Sequence, residues 1–445
     1  MKSVRYWLSS GKISAAEYST KLYHRSALAG QINSNLVEAF RSEFLKRGFF
    51  KKDTELENSI DGKNYKYNQP DSLESKHILS EQDFANFLSD RVLQTAHHQC
   101  LTNGLGFNGI DLTSILGMPS GKAYLVGTYS GVPFSNNAWS GALCFNTSKL
   151  SKILNPKSSS YKKVEKSIIT SLAQGSKEKK IQLLPSRYKD NLIFDSILPA
   201  DSLELFNALQ DNLKARLVSP EKYHYFTDWG LDFCQSLQRY VLDKGKVYYF
   251  DINRVIKDFL IRELESDSFD SMAVQILIDE KIQKALIKIA PQLVLFSLPN
   301  TNEKGVKTLK IADISLSWLG NPKLAAKEIR DSSLCPATFL VFSLLCFENK
   351  FRCLGSFLQV DYLEEFFEIY HKLGSILNIN LDLSPDITDL NGVTIARLPA
   401  SLKKGYSLDL FADHERFDKE YLQKQPINYF WQNIKSSVKK KYALQ

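Results

Sequence analysis

Residues 94–116 read QTAHHQCLTNGLGFNGIDLTSIL, and this stretch decides the expected fold. It begins at the end of RVLQTAHH (91–98), an apolar stretch that is typical of a short buried strand. It finishes in a helix that the pattern predicts from Ile110 to Leu116, and GKAYLVGTY (121–129) follows as a second strand. A strand, a glycine-bearing loop, a helix and a second strand together predict one parallel β-α-β unit.

Strand-like and helix-like segments continue to alternate outside this unit. Three more apolar stretches are typical of strands, at 246–252, 291–299 and 306–316. Helical periodicity predicts helices at 203–217, 230–243, 253–265, 272–289, 336–348 and 359–375. Strands interleaved with helices favour an α/β fold whose sheet has parallel members.

The chain divides into three predicted parts. They are a helical N-terminal segment with a polar loop (1–90), an α/β core with inserted connecting segments (91–335) and a helical and β part that packs back on the core (336–445). Within the first part, an amphipathic helix is expected over 28–50 and the polar loop over 51–76. Asn391-Gly392 is a pair typical of hairpin turns, and it predicts a small β element near the carboxyl end.

Composition narrows the class of protein. The 57 basic and 49 acidic residues give a net charge of +8 that is dispersed along the chain, whereas nucleic-acid binding needs basic side chains gathered on one face. Six cysteines without C-x-x-C spacing disfavour a disulfide framework or a structural zinc site and suit a reducing compartment. With no apolar run long enough to cross a bilayer, the sequence predicts a cytoplasmic protein that binds neither nucleic acid nor membrane.

Polar residues follow the first predicted strand where a ligand would be expected. In parallel α/β sheets, ligands bind beyond the carboxyl ends of the strands, and His97, His98 and Gln99 fall at that position. Gly104 and Gly106 would let the backbone approach a ligand closely or adopt positive φ. The alternative is that the glycines only make the turn and that the histidines bond locally.

The second predicted strand also leads into a polar loop. This loop contains Asn136, Asn137 and Trp139, and it would face the first loop across one crevice if the two strands are parallel. The asparagines are therefore candidate ligand contacts. Capping and closing a turn explains the same residues equally well.

Far downstream, residues 351–374 read FRCLGSFLQVDYLEEFFEIYHKLG. A Gly-Ser turn at Gly355 leads into a helix that carries Gln359 and an aromatic face beginning at Tyr362. Taken alone, this segment is typical of two helices that pack across a tight turn.

Together, the two segments resemble the bacillithiol-biosynthesis cysteine-adding enzyme family. That family has a strand ending in a Gly-Gln-Gln-like triplet before a glycine-containing loop and a helix, and AHHQCLTNGLGF (96–107) resembles this motif with Gln99 retained. Its downstream motif has a glycine-rich turn and a polar residue shortly before a tyrosine. CLGSFLQVDYLEEF (353–366) is similar and keeps Gly355 and Tyr362, with Gln359 at the polar position.

The resemblance implies a Rossmann-like parallel core with helical insertions and a ligase-like enzyme. Such an enzyme joins an amino acid, which is cysteine in that family, to the amine of a small metabolite. The carboxyl group of the amino acid is activated by ATP, or it is supplied by another activated donor. His97 or His98 would be the general acid/base, because histidine titrates near neutral pH. The resemblance also implies that Gln99 and the Gly104–Gly106 backbone hold a phosphate or carboxylate of the substrate. Gln359 and Tyr362 would close the crevice from the other side.

One alternative function is a catalytically silent small-molecule-binding or regulatory protein on the same fold. The segment VGTYSGVPFSNN (126–137) favours it, because it lacks the acidic cluster that the family carries after the second strand. The expected partners are a small-molecule substrate and an amino acid, and a homodimer is left open. No metal is expected, since Asp409 and Asp413 share a helical face without a third ligand at matching spacing.

Overall fold

The structure, a computed structural model, describes most of the chain. It covers residues 6–7, 9–25, 30–50, 78–134, 142–146, 164, 168–173, 176–183, 191–194, 196–210, 217–266, 269–299, 306–377, 386–394 and 406–431. The predicted polar loop at 51–76 therefore lies outside the described residues. Asn136, Asn137 and Trp139 lie outside them as well.

Eleven strands fall within the described residues. They are β1 (Val92–Gln94), β2 (Tyr124–Thr128), β3 (Ala142–Asn146), β4 (Ile168–Ala173), β5 (Ser176–Gln182), β6 (Val247–Asp251), β7 (Val294–Pro299), β8 (Val306–Lys310), β9 (Cys335–Pro336), β10 (Arg352–Gly355) and β11 (Asn391–Val393). Five of them form a parallel sheet in the order β11-β10-β1-β2-β6. Two antiparallel sheets, β3-β5-β4 and β8-β7-β9, accompany it.

Helices surround these sheets. The α-helices are α1 (Ala15–Tyr23), α2 (Ser34–Lys46), α3 (Glu81–Asp90), α4 (Leu105–Ile115), α5 (Ala200–Gln210), α6 (Phe226–Val241), α7 (Ile252–Glu265), α8 (Met272–Ile278), α9 (Glu280–Ile289), α10 (Pro322–Asp331), α11 (Thr338–Phe342), α12 (Phe357–Leu377), α13 (Ile387–Leu390), α14 (Ser407–Ala412), α15 (Lys419–Lys424) and α16 (Asn428–Trp431). A π-helix, Ser343–Glu348, continues α11. The protein is therefore a mixed α/β fold built on a five-stranded parallel sheet.

The order of the parallel strands reverses once. From β1 the chain moves outward through β2 to β6, and it then returns to place β10 on the other side of β1 and β11 beyond β10. The first two predicted strands are neighbours in this sheet, with Gln94 beside Val126, which confirms the predicted parallel unit. The reversal between β1 and β10 matters because open parallel sheets bind ligands at such a point.

Both faces of the parallel sheet are covered. Leu125 packs into one hydrophobic cluster with residues of α2 and α7, whereas its neighbours Tyr124 and Val126 pack into a second cluster with residues of α1 and α4. Every residue of β2 and β6 is buried. Strands covered on both faces read as continuous apolar runs, which is why the sequence pattern located them.

Two predictions about β structure are corrected. Asn391-Gly392 is not a hairpin turn, because these residues begin β11, which runs parallel to β10. A Cβ on Gly392 would lie 2.5 Å from Leu354 Cδ2, so close packing in the sheet explains this glycine. The strands predicted at 291–299 and 306–316 exist as β7 and β8, but they pair antiparallel in a separate sheet.

The carboxyl part of the chain enters the central sheet directly. β10 and β11 both belong to the predicted third part, yet they form one side of the parallel sheet. The predicted boundary at 335 also falls inside β9. The helix predicted at 272–289 is divided at Asp279, whose side chain accepts a hydrogen bond from the N–H of Ile282 and caps α9.

Candidate functional site

The loops that follow β1 and β10 meet where the strand order reverses. The N–H of Thr95 donates to the carbonyl of Leu354 at 2.9 Å. Beyond these strands, Nε2 of Gln359 donates to Oγ1 of Thr95 at 2.8 Å, and the bond is buried. The two segments that the sequence singled out therefore lie at one edge of the sheet.

The approach of Gln359 depends on Gly355. Gly355 ends β10, and α12 starts two residues later. A Cβ on Gly355 would lie 2.1 Å from Cδ of Gln359, so only glycine leaves room for this side chain. The side chain is almost fully enclosed, with 2% exposure.

Five polar residues at this edge carry buried atoms without hydrogen-bond partners among the described residues. We name them the open cluster: His97, His98, Gln99, Tyr129 and Gln359. Both amide atoms of Gln99, which is 2% exposed, lack partners within the described part of the chain. A backbone hydrogen bond joins the loops that follow β1 and β2, because the N–H of Tyr129 donates to the carbonyl of His97 at 3.0 Å.

His97 has a carboxylate behind it. Its Nε2 lies 2.8 Å from Oδ1 of Asp111, although the two groups are not aligned as a hydrogen bond. Such contacts in unliganded active sites are often poorly aligned and tighten on substrate binding. The imidazole packs on Phe107, with 5.0 Å between the ring centroids, and its Nδ1 has no partner among the described residues.

Asp111 is held by three further donors. The hydroxyl of Tyr124 donates to Oδ1 at 2.8 Å. The hydroxyl of Tyr249 and Nδ2 of Asn103 donate to Oδ2 at 3.1 and 3.0 Å. Burial, followed by the charge of Asp111, raises the pKa of Tyr124 and of Tyr249 well above its usual range, so both phenols remain donors.

The two predicted acid/base histidines differ in environment. Burial, followed by the charge of His97, lowers the pKa of His98 to about 4, so its imidazole is neutral at neutral pH. A group with this pKa is a weak base at pH 7. His97 instead lies against the carboxylate of Asp111, and a carboxylate in this place orients the general base of known catalytic sites.

The glycines of the first loop have ordinary conformations. Gly104 is the N-cap of α4 with φ −97°, so the predicted use of a positive φ is not seen there. Gly106 lies exposed in the first turn of α4, and a Cβ there would meet nothing within 4 Å. Both instead form the amino end of the helix whose Phe107 packs on His97.

Tyr362 lies beside the open cluster rather than inside it. Its ring packs 5.7 Å from that of Phe342, which also packs against Tyr129 at 6.3 Å. Burial raises the pKa of Tyr362, so its phenol stays neutral. The described residues contain no group of three metal-ligating side chains, Asp409 and Asp413 included.

Three polar residues at the ends of β2 and β6, at the same edge, bond to one another. We name Ser130, Asp251 and Asn253 the closed cluster. Oγ of Ser130 donates to Oδ2 of Asp251 at 2.6 Å. Oδ1 of Asn253 accepts from the N–H groups of Ser130 and Gly131, and its Nδ2 donates to the carbonyl of Pro336 at 2.7 Å.

Sequence reasoning missed Asp111 and Thr95. A lone aspartate in the apolar segment NGIDLTSIL (108–116) is a usable signal, because a carboxylate is almost never fully buried without partners. Thr95 carries no such signal, since it reads as one more strand residue.

No helix in the described part of the chain is long and apolar enough to span a membrane.

The chain matches no protein-family model, and neither the curated proteins nor the solved structures contain a significant match to it.

Proposed function

We propose that the parallel sheet is a Rossmann-like core with its active site at the open cluster. One observation carries this proposal: five neighbouring residues with buried polar atoms that lack described partners lie where the strand order reverses. A buried polar group left unpaired costs about 1–3 kcal/mol, so a whole group of them is costly to the folded protein. A ligand that forms hydrogen bonds with these atoms would explain why the protein keeps them although they lower its stability.

We further propose a ligase-like reaction that joins an amino acid to the amine of a small metabolite. The resemblance of the two segments to the cysteine-adding family supports it, with cysteine as the first amino acid to test. The acyl donor is ATP-activated or enters already activated. The amine nitrogen attacks the acyl carbon, the leaving group departs with its bonding electron pair, and Nδ1 of His97 takes the proton from the nitrogen.

The amides of the open cluster suit the recognition of such substrates. Gln99 has a free donor and a free acceptor within the described residues, and Gln359 has a free acceptor. An amino acid presents both an ammonium donor and carboxylate acceptors, which these amides complement. Neutral amides also bind a carboxylate without raising its pKa through like charge.

A second candidate is a catalytically silent binding protein on the same fold. The enclosure of the open cluster favours it, because His97 is 0% exposed and Gln99 and Gln359 are each 2% exposed. A substrate reaches these groups only after the loops part. A protein that opens in response to one ligand without turning it over fits the same geometry.

A thermal-shift screen followed by product analysis tests the proposal. The probes are ATP, a non-hydrolysable cysteinyl-adenylate analogue and free cysteine, because a ligand at 100 times its Kd adds about 2.7 kcal/mol of stability. We expect a shift that Gln359→Leu abolishes and that Ser130→Ala, from the closed cluster, retains. Mass spectrometry of a mixture of cysteine, ATP and amine metabolites should then show a new amide.

The outcomes separate the two candidates. A shift with product formation supports the enzyme, and a shift without product supports the silent binding protein. A shift that survives Gln359→Leu and Gln99→Leu places the binding elsewhere and contradicts the proposed site. The absence of any shift with all three probes contradicts the proposed ligase.

A further inference from the structure

A chain of four buried side chains ends at His97. Sγ of Cys100 donates to Oδ1 of Asn103 at 3.2 Å. Nδ2 of Asn103 donates to Oδ2 of Asp111 at 3.0 Å. Oδ1 of Asp111 then lies 2.8 Å from Nε2 of His97. The last three residues are fully buried, and Cys100 is nearly so.

The direction of this chain is fixed by its chemistry. A carboxylate only accepts hydrogen bonds, so the amide group of Asn103 must turn its nitrogen to Asp111. Its oxygen then faces the thiols of Cys100 and Cys234, which are donors at 3.2 and 3.8 Å. Reversing the amide would set oxygen against carboxylate and nitrogen against both thiols. Both ends therefore assign the same orientation.

The same logic extends to the imidazole. Oδ1 of Asp111 lies 2.8 Å from Nε2 and can only accept, so a proton on Nε2 is favoured although the contact is not aligned as a hydrogen bond. In a neutral imidazole with this proton on Nε2, Nδ1 is the acceptor, and it has no partner among the described residues. The ring is held in place by Phe107 and by the edge of Tyr249, at 5.0 and 5.6 Å between centroids.

We infer that Asp111, Asn103 and Cys100 are positioning residues that hold His97 in the Nε2–H tautomer and keep Nδ1 free as the base of the site. The catalytic meaning of this inference rests on the proposed function. The tautomer itself does not, because it is a property of the unliganded protein. The substrate class follows: Nδ1 must meet a ligand group that donates a proton, such as an amine.

Replacing Asp111 by asparagine should reverse the tautomer. Nδ2 of Asn103 can only donate, so the oxygen of the new amide must face it. The nitrogen of the new amide then faces Nε2 of His97, which has to accept. The proton moves to Nδ1, and the base is lost although the side chain keeps its size.

Nitrogen NMR of the protein labelled with ¹⁵N-histidine at pH 7.5 tests the inference. We expect the wild-type spectrum to show His97 with a protonated Nε2 and a bare Nδ1, assigned by the signals missing from His97→Gln. In Asp111→Asn, the spectrum should instead show His97 with a protonated Nδ1 and an unprotonated Nε2. Tyr249→Phe is the matched control, because it removes a donor to Asp111 but keeps the carboxylate, so the tautomer should not change.

Activity supplies the second readout. Where product forms, Asp111→Asn should lower kcat at least 100-fold with KM changed less than threefold, and Cys100→Ser, which keeps a donor, should retain more activity than Cys100→Ala. A wild-type His97 with the proton on Nδ1 overturns the inference, whether or not any variant folds. A reversed tautomer with unchanged kcat overturns the catalytic role. The expected tautomer in a protein without ligase activity leaves the positioning result intact and removes only the proposed function.

Discussion

The polar side chains of the closed cluster bond to one another, whereas the five residues of the open cluster keep buried atoms without described partners, although both clusters lie at one edge of one sheet. In the closed cluster, Ser130 donates to Asp251, and Asn253 uses both its oxygen and its nitrogen. In the open cluster, neither atom of the Gln99 amide has a partner in the described residues. Apart from His98, which is partly exposed, the residues of both clusters are buried, so burial does not explain the difference.

The difference separates two uses of buried polar groups. Where the bonds close within the chain, they tie neighbouring elements together and contribute to the fold. Where they remain open, they subtract from stability, and a ligand that completes them explains why such residues are there. The open cluster lies at the strand-order reversal and the closed cluster does not, which agrees with where open parallel sheets bind their ligands.

The largest effect is expected near the closed cluster. Arg254 contacts Asp228 and lies 3.6 Å from Oδ2 of Asp251 through its Nε. Arg254→Ala would leave these buried carboxylates without their nearest cation, and we expect the free energy of unfolding to fall by about 3–5 kcal/mol. Urea denaturation measures this change. A loss below about 1 kcal/mol would show that the ion pairs do not stabilise this half of the edge.

A pH effect of intermediate size is expected in the open cluster. The folded pKa of His98 is about 4 and its ordinary value is 6.5, so the folded protein binds fewer protons than the unfolded chain between these values. Its contribution to stability is thus complete above pH 6.5 and is lost as the pH falls toward 4. The expected loss is about 2 kcal/mol, because His98 keeps some contact with water.

His98→Gln should reduce the fall of the unfolding free energy between pH 6.5 and 4. The difference between the wild-type and variant curves gives the contribution of His98. The difference is needed because Glu348 acts in the opposite sense: burial raises its pKa to about 7, so its contribution is lost as the pH rises through 7. Unfolding free energies at pH 7, 6, 5 and 4 give the comparison. Parallel curves for the two proteins would contradict the environment assigned to His98.

Gly355→Ala should affect binding more than stability. The new Cβ displaces only the flexible end of Gln359, and Gly355 does not have a positive φ, so the free energy of unfolding should fall by about 1 kcal/mol, roughly the value of the one lost hydrogen bond. The Gln359 amide leaves Thr95, and ligand affinity should fall about tenfold, or about 1.4 kcal/mol.

Gly392→Ala is the matched control for that experiment. Its Cβ would press on Leu354 in the core of the sheet, so we expect a loss of about 1–3 kcal/mol in stability with unchanged affinity. Titration calorimetry with the ligand found by thermal shift measures both variants. Unchanged affinity in Gly355→Ala would remove Gln359 from the binding site.

Three strands of the parallel sheet, β1, β2 and β6, were predicted from their apolar runs, whereas β10 was not predicted as a strand and β11 was expected to be part of a hairpin. Pairing was less accessible, since β7 and β8 were also predicted as strands but belong to another sheet. Local preference also failed at Asn391-Gly392, where pairing with β10 overrides a strong turn signal. The sequence therefore indicated some of the strands and the β1–β2 pair, but not the other neighbours in the parallel sheet.

Site prediction met the same limit. Polar residues at a predicted strand end, such as His97 and Gln99, were identifiable from position alone. The bond between Gln359 and Thr95 joins residues 264 positions apart, and only the order of the strands brings them together. Asp111 lies on a helix behind the site. Its position in the sequence does not show that its side chain faces His97.

The smallest expected effect tests the central claim most directly, because it needs no ligand. In urea denaturation of the unliganded protein, Gln99→Met should raise the free energy of unfolding by about 1 kcal/mol, since an apolar side chain of similar size replaces an unpaired buried amide. Asn253→Leu, the same kind of change in the closed cluster, should lower it by about 2–3 kcal/mol, because three hydrogen bonds are lost. Equal losses in both variants would mean that Gln99 is bonded within the folded chain, and the distinction between open and closed clusters would be contradicted.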